Sequence, residues 1–182
     1  MYWMLECYGI LVDRAGIVGV LNDSGRNWLL GRPFKTPPPS PLEVEVDDGA
    51  MVPMFYRGIL LFSDAMLKAL QSVGVDNLEI YSALLVNKTT GARYENYKAI
   101  NILGLVAAAD LSKSKYVSHT STGLIDTDFD SLTIDPSKAH DLLMFRLAEA
   151  VNGIVIHDRV KVALEKAGIK HLDFVKPEKW IG

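Results

Sequence analysis

Residues 62–81 read FSDAMLKALQSVGVDNLEIY, and residues 156–175 read IHDRVKVALEKAGIKHLDFV. At the offset of 94 positions that brings Asp158 onto Asp64, the stretches share Asp64/Asp158, Ala69/Ala163, Leu70/Leu164, Gly74/Gly168 and Leu78/Leu172. Each reads as an apolar strand end, a polar cap, a short amphipathic helix, a terminating glycine and a second apolar strand. Ser63 or Asp64 caps the first helix by accepting from a free N–H of its opening turn. Met66, Leu67, Leu70 and Val73 recur at three- and four-residue spacing, which makes one apolar face. Gly74 supplies the left-handed residue that stops the helix, with Val75 folding back as in a Schellman motif. In the second copy His157 or Asp158 caps, Val160, Ala163, Leu164 and Ala167 form the face, and Gly168 with Ile169 ends it. Neither helix can stand alone, so each must dock on a sheet. The shared positions are caps, faces and stops. The repeat marks architecture rather than chemistry, and duplication and convergence both fit it.

Composition narrows the rest. The 182 residues suit one domain or two small lobes, and 49 % apolar content is ample for a packed interior. Net charge is −3, from 19 basic and 22 acidic residues, so no basic excess points to nucleic acid. A single cysteine, Cys7, excludes an intramolecular disulfide framework and fits a reducing compartment. Glu6, Asp13 and Arg14 interrupt what would otherwise resemble a secretion signal, and the longest apolar tract, 102–109, is too short to span a bilayer. The expectation is a soluble, cytoplasmic protein with no membrane contact.

Along the chain, 1–8 and 16–21 read as strands, with a turn at 22–25. Residues 35–41 carry prolines at 37, 38, 39 and 41 and form a stiff polyproline segment. That segment divides an N-terminal strand-rich lobe, 1–41, from a core at 42–182, unless the whole is one continuous domain. Leu42, Val44 and Val46 then alternate with Glu43, Glu45 and Asp47, a half-buried strand with an acidic outer face. Residues 81–87 are extended, Thr89, Thr90 and Gly91 turn the chain, and 92–106 continues as one long strand or two. Polar residues 110–114 and acidic residues 126–130 read as loops. Asp135 before Pro136 opens a helical turn over 136–141, and Asn152 with Gly153 joins strands 142–147 and 154–157 in a hairpin. Strands outnumber scattered helices. The fold expected is α+β, with a mostly antiparallel or mixed sheet and two short helices in the repeated strand–helix–strand unit.

From about Phe55 onward the order of features resembles a known family. The residues are Ser63 and Asp64 entering a helix that ends at Gly74, then Tyr94, Tyr97 and Asn101, then 110–114 (Asp-Leu-Ser-Lys-Ser). They continue with Phe145 and Arg146 in a strand, Ile154, Val155 and Ile156 before Asp158, and a last helix closing with Gly168 and Phe174. The family is that of bacterial immunity proteins encoded beside polymorphic toxins, immunity family eleven. The resemblance covers roughly the C-terminal two-thirds of the chain and rests on order and spacing. It implies an antitoxin in interbacterial competition, of the kind tied to type VI secretion, whose partner is a cognate toxin.

Asp126, Asp128 and Asp130 stand at calcium-loop spacing, but the sixth and twelfth positions hold Ser131 and Ser137 instead of glycine and glutamate. They read instead as a solvated loop or an acidic contact surface. His119, His140, His157 and His171 are dispersed, with no pair at metal-ligand spacing. Cys7 reads as a buried structural thiol with nothing nearby to lower its pKa. Neither a Gly-x-Ser-x-Gly elbow nor a phosphate loop occurs. Tyr94, Asn96, Tyr97 and Asn101 read as polar ends satisfied within a core, and Asp110 with Ser114 as fixing a loop through backbone amides. Glu43, Glu45, Asp47 and Asp48 repel one another; they are either a solvated edge or a docking face for a basic toxin.

The reading is therefore a non-enzymatic immunity protein, without metal or cofactor, that occludes its toxin stoichiometrically. Its expected contact residues are Glu43, Glu45, Asp47, Asp48, Asp126, Asp128 and Asp130, and the leading expectation for the toxin is a cytoplasm-acting nuclease. The alternative is an enzyme that reverses the toxin's modification or hydrolyses a small substrate, using carboxylates such as Asp110 and Asp126 that converge in space.

Overall fold

The computed structural model describes residues 1–7, 13–23 and 25–182. Its strands are β1 Tyr2–Glu6, β2 Ile17–Val20, β3 Leu42–Val46, β4 Met54–Tyr56, β5 Leu60–Ser63, β6 Leu78–Val86, β7 Arg93–Ile102, β8 Leu105–Val106, β9 Lys115–Ser118, β10 Thr127–Ser131, β11 Met144–Leu147, β12 Ile154–His157 and β13 Asp173–Val175. Helix α1 spans Asp64–Ser72 and α2 spans Asp158–Lys166. The fold is α+β with mixed sheets. Six strands lie in the order β2-β3-β6-β7-β5-β4, five in the order β13-β1-β12-β11-β8, and β9 with β10 forms a separate pair. Among the described strands, β3 with β6 and β8 with β11 run parallel and the other pairs antiparallel. Tyr8 and Ser24, parts of the expected first strand and turn, lie outside the described residues.

Both repeated stretches form the expected unit. Ser63 Oγ accepts from the Met66 N–H at 3.3 Å, and His157 Nδ1 accepts from the Arg159 N–H at 3.3 Å. Gly74 and Gly168 close the helices with φ of 92° and 70°. The Val75 N–H reaches back to the Leu70 carbonyl and the Gly74 N–H to Gln71; Ile169 reaches Leu164 and Gly168 reaches Glu165. These are paired Schellman closures. Each helix contacts strands of its own unit, and the two helices also contact each other.

In the first unit β7 lies between β5 and β6, antiparallel to both. In the second, β1 lies between β12 and β13 in the same sense. The registers coincide. Ser63 faces Tyr97 as His157 faces Tyr2, and Tyr81 faces Ala99 as Val175 faces Met4. The repeat thus has a third strand, which follows the first unit in sequence but lies far ahead of the second, near the start of the sequence at Tyr2–Glu6. Even a detail carries over. Asp64 pairs with Lys98 at 2.8 Å, and at the matching positions Asp158 accepts from Trp3 Nε1 at 2.8 Å.

Three apolar clusters hold the layers. One joins both helices to both sheets through Leu5, Phe62, Met66, Leu70, Ile100, Ile156 and Leu164. A second, with Trp28, Leu42, Val44, Leu85 and Tyr97, lies on the other face of the six-stranded sheet. The third, with Met4, Phe129, Phe145, Val155 and Trp180, lies on the other face of the five-stranded sheet. Residues 92–106 make two strands in different sheets. Between them Gly104 holds φ of 122°, and Asn77 Nδ2 donates to the carbonyls of Leu103 at 2.6 Å and Met144 at 2.8 Å. The helical turn after Asp135 is shorter than expected, a 3-10 turn over Pro136–Lys138. The strands of residues 1–41 pair with later strands in both large sheets, so hydrogen bonding crosses the proline segment in each.

Candidate functional site

The seven expected contact carboxylates fall into two groups. On β3, Glu43 and Glu45 alternate with buried Leu42, Val44 and Val46, and Asp47 and Asp48 follow in the open. Part of this charge is already engaged. Lys88, from the turn after β6, meets Glu45 at 2.7 Å. Asp47 accepts from the Gly16 N–H, and Asp48 accepts from the buried Asn87 amide at 2.8 Å. A stretch with no basic residue in sequence has gained one in space. The solvated-edge reading is corrected here: β2 and β6 flank β3 on either side. Alternating charge reveals which face meets water, not whether strands lie alongside.

Asp126, Asp128 and Asp130 are not in a loop, which corrects the second expectation. Asp128 and Asp130 belong to β10, and Asp126 precedes it, bridged to Ala150. Aspartate disfavours strands, but Thr127 and Phe129 alternate inward, and Phe129 packs near Tyr116 and Trp180. The three carboxylates share one exposed side. Val117, opposite Asp128, is exposed there too. His119 Nε2 lies 2.9 Å from Asp128, and that carboxylate raises the pKa of the imidazole. Exposed Ile125, just before, holds φ of 77° while its N–H donates to the Ala148 carbonyl at 2.7 Å. Among the described residues, no hydrogen bond or ion pair joins this group to the β3 group.

Other singled-out residues hold the fold. The buried Tyr97 hydroxyl donates to the Val52 carbonyl at 2.9 Å, and burial pushes its pKa up to about 12. Asn101 Nδ2, also buried, donates to the Arg32 carbonyl and to Glu79 Oε2, each at 2.8 Å. Tyr94 packs beside this cluster, and Asn96 is exposed. Asp110 accepts from Lys113 Nζ at 2.7 Å and Ser112 Oγ at 2.6 Å, which hold its carboxyl down to about 2. Ser114 Oγ donates to the Asp110 carbonyl and accepts from the Thr133 N–H. Asp110 and Asp126 are tied to different partners, and no hydrogen bond connects them among the described residues. Cys7 is buried, and burial raises its thiol pKa even though Arg14 lies beside it. The expectation that nothing nearby would lower that pKa is corrected: Arg14 opposes burial but does not win. Among the described residues, no three His, Cys, Asp or Glu side chains converge as metal ligands, and no helix is long and apolar enough to cross a membrane.

Two buried charged residues lie outside the expected sites, although Arg146 is among the residues that carry the resemblance. Arg146 is 0 % exposed in β11, and Glu149 is 3 % exposed just beyond it. Glu149 Oε1 accepts from the Ala109 N–H at 3.1 Å while Oε2 has no hydrogen-bond partner among the described residues, and burial raises its pKa. The available signal was a charged residue inside the apolar run Met144–Leu147.

The model of a family described as Immunity protein family (Imm11) matches residues 38–179, most of the chain. No curated protein matches it.

Proposed function

Because the chain belongs to the Imm11 immunity protein family, we propose that it neutralises one cognate toxin by binding it one-to-one and covering its active site, without catalysis. The observation that carries the reading past family membership is the pair of acidic strand faces. Glu43, Glu45, Asp47 and Asp48 form one, and Asp126, Asp128 and Asp130 with exposed Val117 form the other. An apolar spot rimmed by charge suits a protein partner: apolar contact supplies affinity, and complementary charge speeds encounter and rejects wrong partners.

The partner chemistry is basic. A nuclease domain fits, since its cleft must neutralise phosphates. The immunity protein would then act in the cytoplasm, where a delivered nuclease meets nucleic acid, and would itself touch neither nucleic acid nor membrane. Delivery by a contact-dependent route such as type VI secretion is consistent with this. The test is a titration against the toxin domain encoded beside the gene. Protection that saturates at about one immunity protein per toxin supports occlusion. Protection at far lower ratios would mean catalysis and overturn it.

A further inference from the structure

Strand β9, Lys115–Ser118, is a sheet edge left open. Among the described residues it pairs with β10 alone, antiparallel, with Val117 opposite Asp128 and Tyr116 opposite Phe129. The direction of its backbone groups follows from its neighbours. The His119 N–H donates to the Asp126 carbonyl at 2.9 Å, so His119 and, two residues back, Val117 turn their polar backbone groups toward β10. Across the pair, the Thr127 N–H donates away from β9 to the Glu149 carbonyl at 3.1 Å, and Phe129 exchanges hydrogen bonds with Gly182. The residues opposite them, Ser118 and Tyr116, therefore turn their N–H and C=O groups off the far edge of β9. Among the described residues no strand lies there.

A free strand edge templates another strand unless it is guarded. Lys115, opposite Ser131, guards only one end of this edge. The rest is apolar and accessible: Tyr116 is 40 % exposed and Val117 57 %. Val117 shares its face with Asp126, Asp128 and Asp130, so the open edge and the acidic face meet on one hairpin. Charge selects the occupant. A second copy pairing through the same edge would set two groups of three aspartates on one continuous face, where like charges repel. A strand carrying lysine or arginine meets the opposite. Beside β9 it stands two strand spacings, about 10 Å, from β10. A long basic side chain crosses that gap by laying its methylenes over Val117 and its charge against Asp128.

We propose that the toxin docks on the β9 edge by adding a basic, extended segment as a third strand to the β9–β10 pair. The proposal rests on the occlusion reading and gives it a contact mode. Backbone hydrogen bonds to Tyr116 and Ser118 supply affinity, and alternate side chains over Val117 and the carboxylates supply the choice of partner. Because Lys115 stands at one end, the partner's basic residues fall toward Ser118.

The experiment uses the full chain and the toxin domain encoded beside its gene. Amide hydrogen exchange is followed by NMR in the free chain and in the complex. Tyr116 and Ser118 should exchange fast when free and about tenfold or more slowly in the complex. The newly protected toxin segment should carry lysine or arginine at alternate positions. Ser118→Pro removes the outward N–H, which a strand edge tolerates. Ser118→Ala keeps that N–H while losing the same hydroxyl contacts to Thr120 and Thr127. Ser118→Pro should bind the toxin about tenfold or more weakly than Ser118→Ala. Equal binding by the two variants, unprotected Tyr116 and Ser118 in a one-to-one complex, or a protected toxin segment without basic residues would each overturn the proposal and leave occlusion standing. Protection in the free chain that rises with its own concentration would assign the edge to a second copy and overturn it too. Neutralisation far below one-to-one would instead remove occlusion itself, and this contact mode with it. Should Ser118→Pro fail to fold, exchange in the wild-type complex decides.

Discussion

Gly74 and Gly168 each sit at the residue after a helix cap, with φ of 92° and 70°. A Cβ would meet only Leu143 Cδ1 at 3.8 Å at the first position and nothing within 4 Å at the second. The demand is therefore on the backbone alone. Gly74→Ala and Gly168→Ala should each cost about 1 kcal/mol of stability, read from denaturant melts; variants as stable as the wild type would remove this account. Asp110 makes a different prediction. Its carboxyl is held to about 2 by Lys113 and Ser112, against an ordinary 3.8. A depressed acid stabilises the fold fully above the ordinary value, and that contribution fades as pH falls through about 2. An NMR titration of the Asp110 carboxyl carbon should show a midpoint near 2, and Lys113→Ala should move it toward 3.8. These features were legible because they are local: caps, stops and turns answer to a few neighbouring residues. Arg146 was not, since one charge in an apolar strand says nothing of what it will face.

The two strand–helix–strand units place one aspartate in two settings. Asp64 pairs with Lys98 across a half-open surface, its side chain 53 % exposed. Asp158 takes the Trp3 indole N–H in a part-buried site. Exposed ion pairs contribute about 1 kcal/mol or less, whereas a hydrogen bond to a charged group contributes about 1.5–3 kcal/mol. Asp158→Ala should therefore destabilise clearly more than Asp64→Ala, since the helix-start contribution common to both cancels. Equal losses in thermal melts would mean that the helix-start charge, not the partner strand, is what matters. Both helices and both flanking strands could be read from periodicity. Their central strands were legible as strands but not in their place, because nothing local in Tyr2–Glu6 says that it belongs between Ile154–His157 and Asp173–Val175. The strand Thr127–Ser131 escaped for another reason. Its aspartates suggested a loop, and only packing of Phe129 in the third cluster decides otherwise.

For the molecule as a whole, a net charge of −3 matters less than where the carboxylates stand. Lys88, Asn87 and the Gly16 amide temper the β3 group, whereas among the described residues the β10 group is offset by His119 alone. If a basic partner is steered by charge, Asp126→Asn with Asp128→Asn and Asp130→Asn should slow association more than neutral replacements at Glu43, Glu45, Asp47 and Asp48. Both effects should grow at low salt. Association rates measured by stopped flow across ionic strength test this. Rates that stay constant would mark both faces as merely solvated. The acidic patches were legible as residues but not as surfaces, because sheet neighbours and a distant lysine set how much charge remains.

The clasp of β1 between β12 and β13 has a consequence for synthesis. Tyr2–Glu6 leaves the ribosome long before its neighbours, which emerge only near residues 154 and 173. Until then its backbone groups can be satisfied only by water or by transient pairing, and closing so long a loop is slow. Translation that stops short yields an unlatched chain, with the cluster shared by both sheets left open and its apolar groups offered to proteases and chaperones. A cell relying on this protein for protection would thus clear its unfinished copies, and only fully translated molecules would count toward its defence.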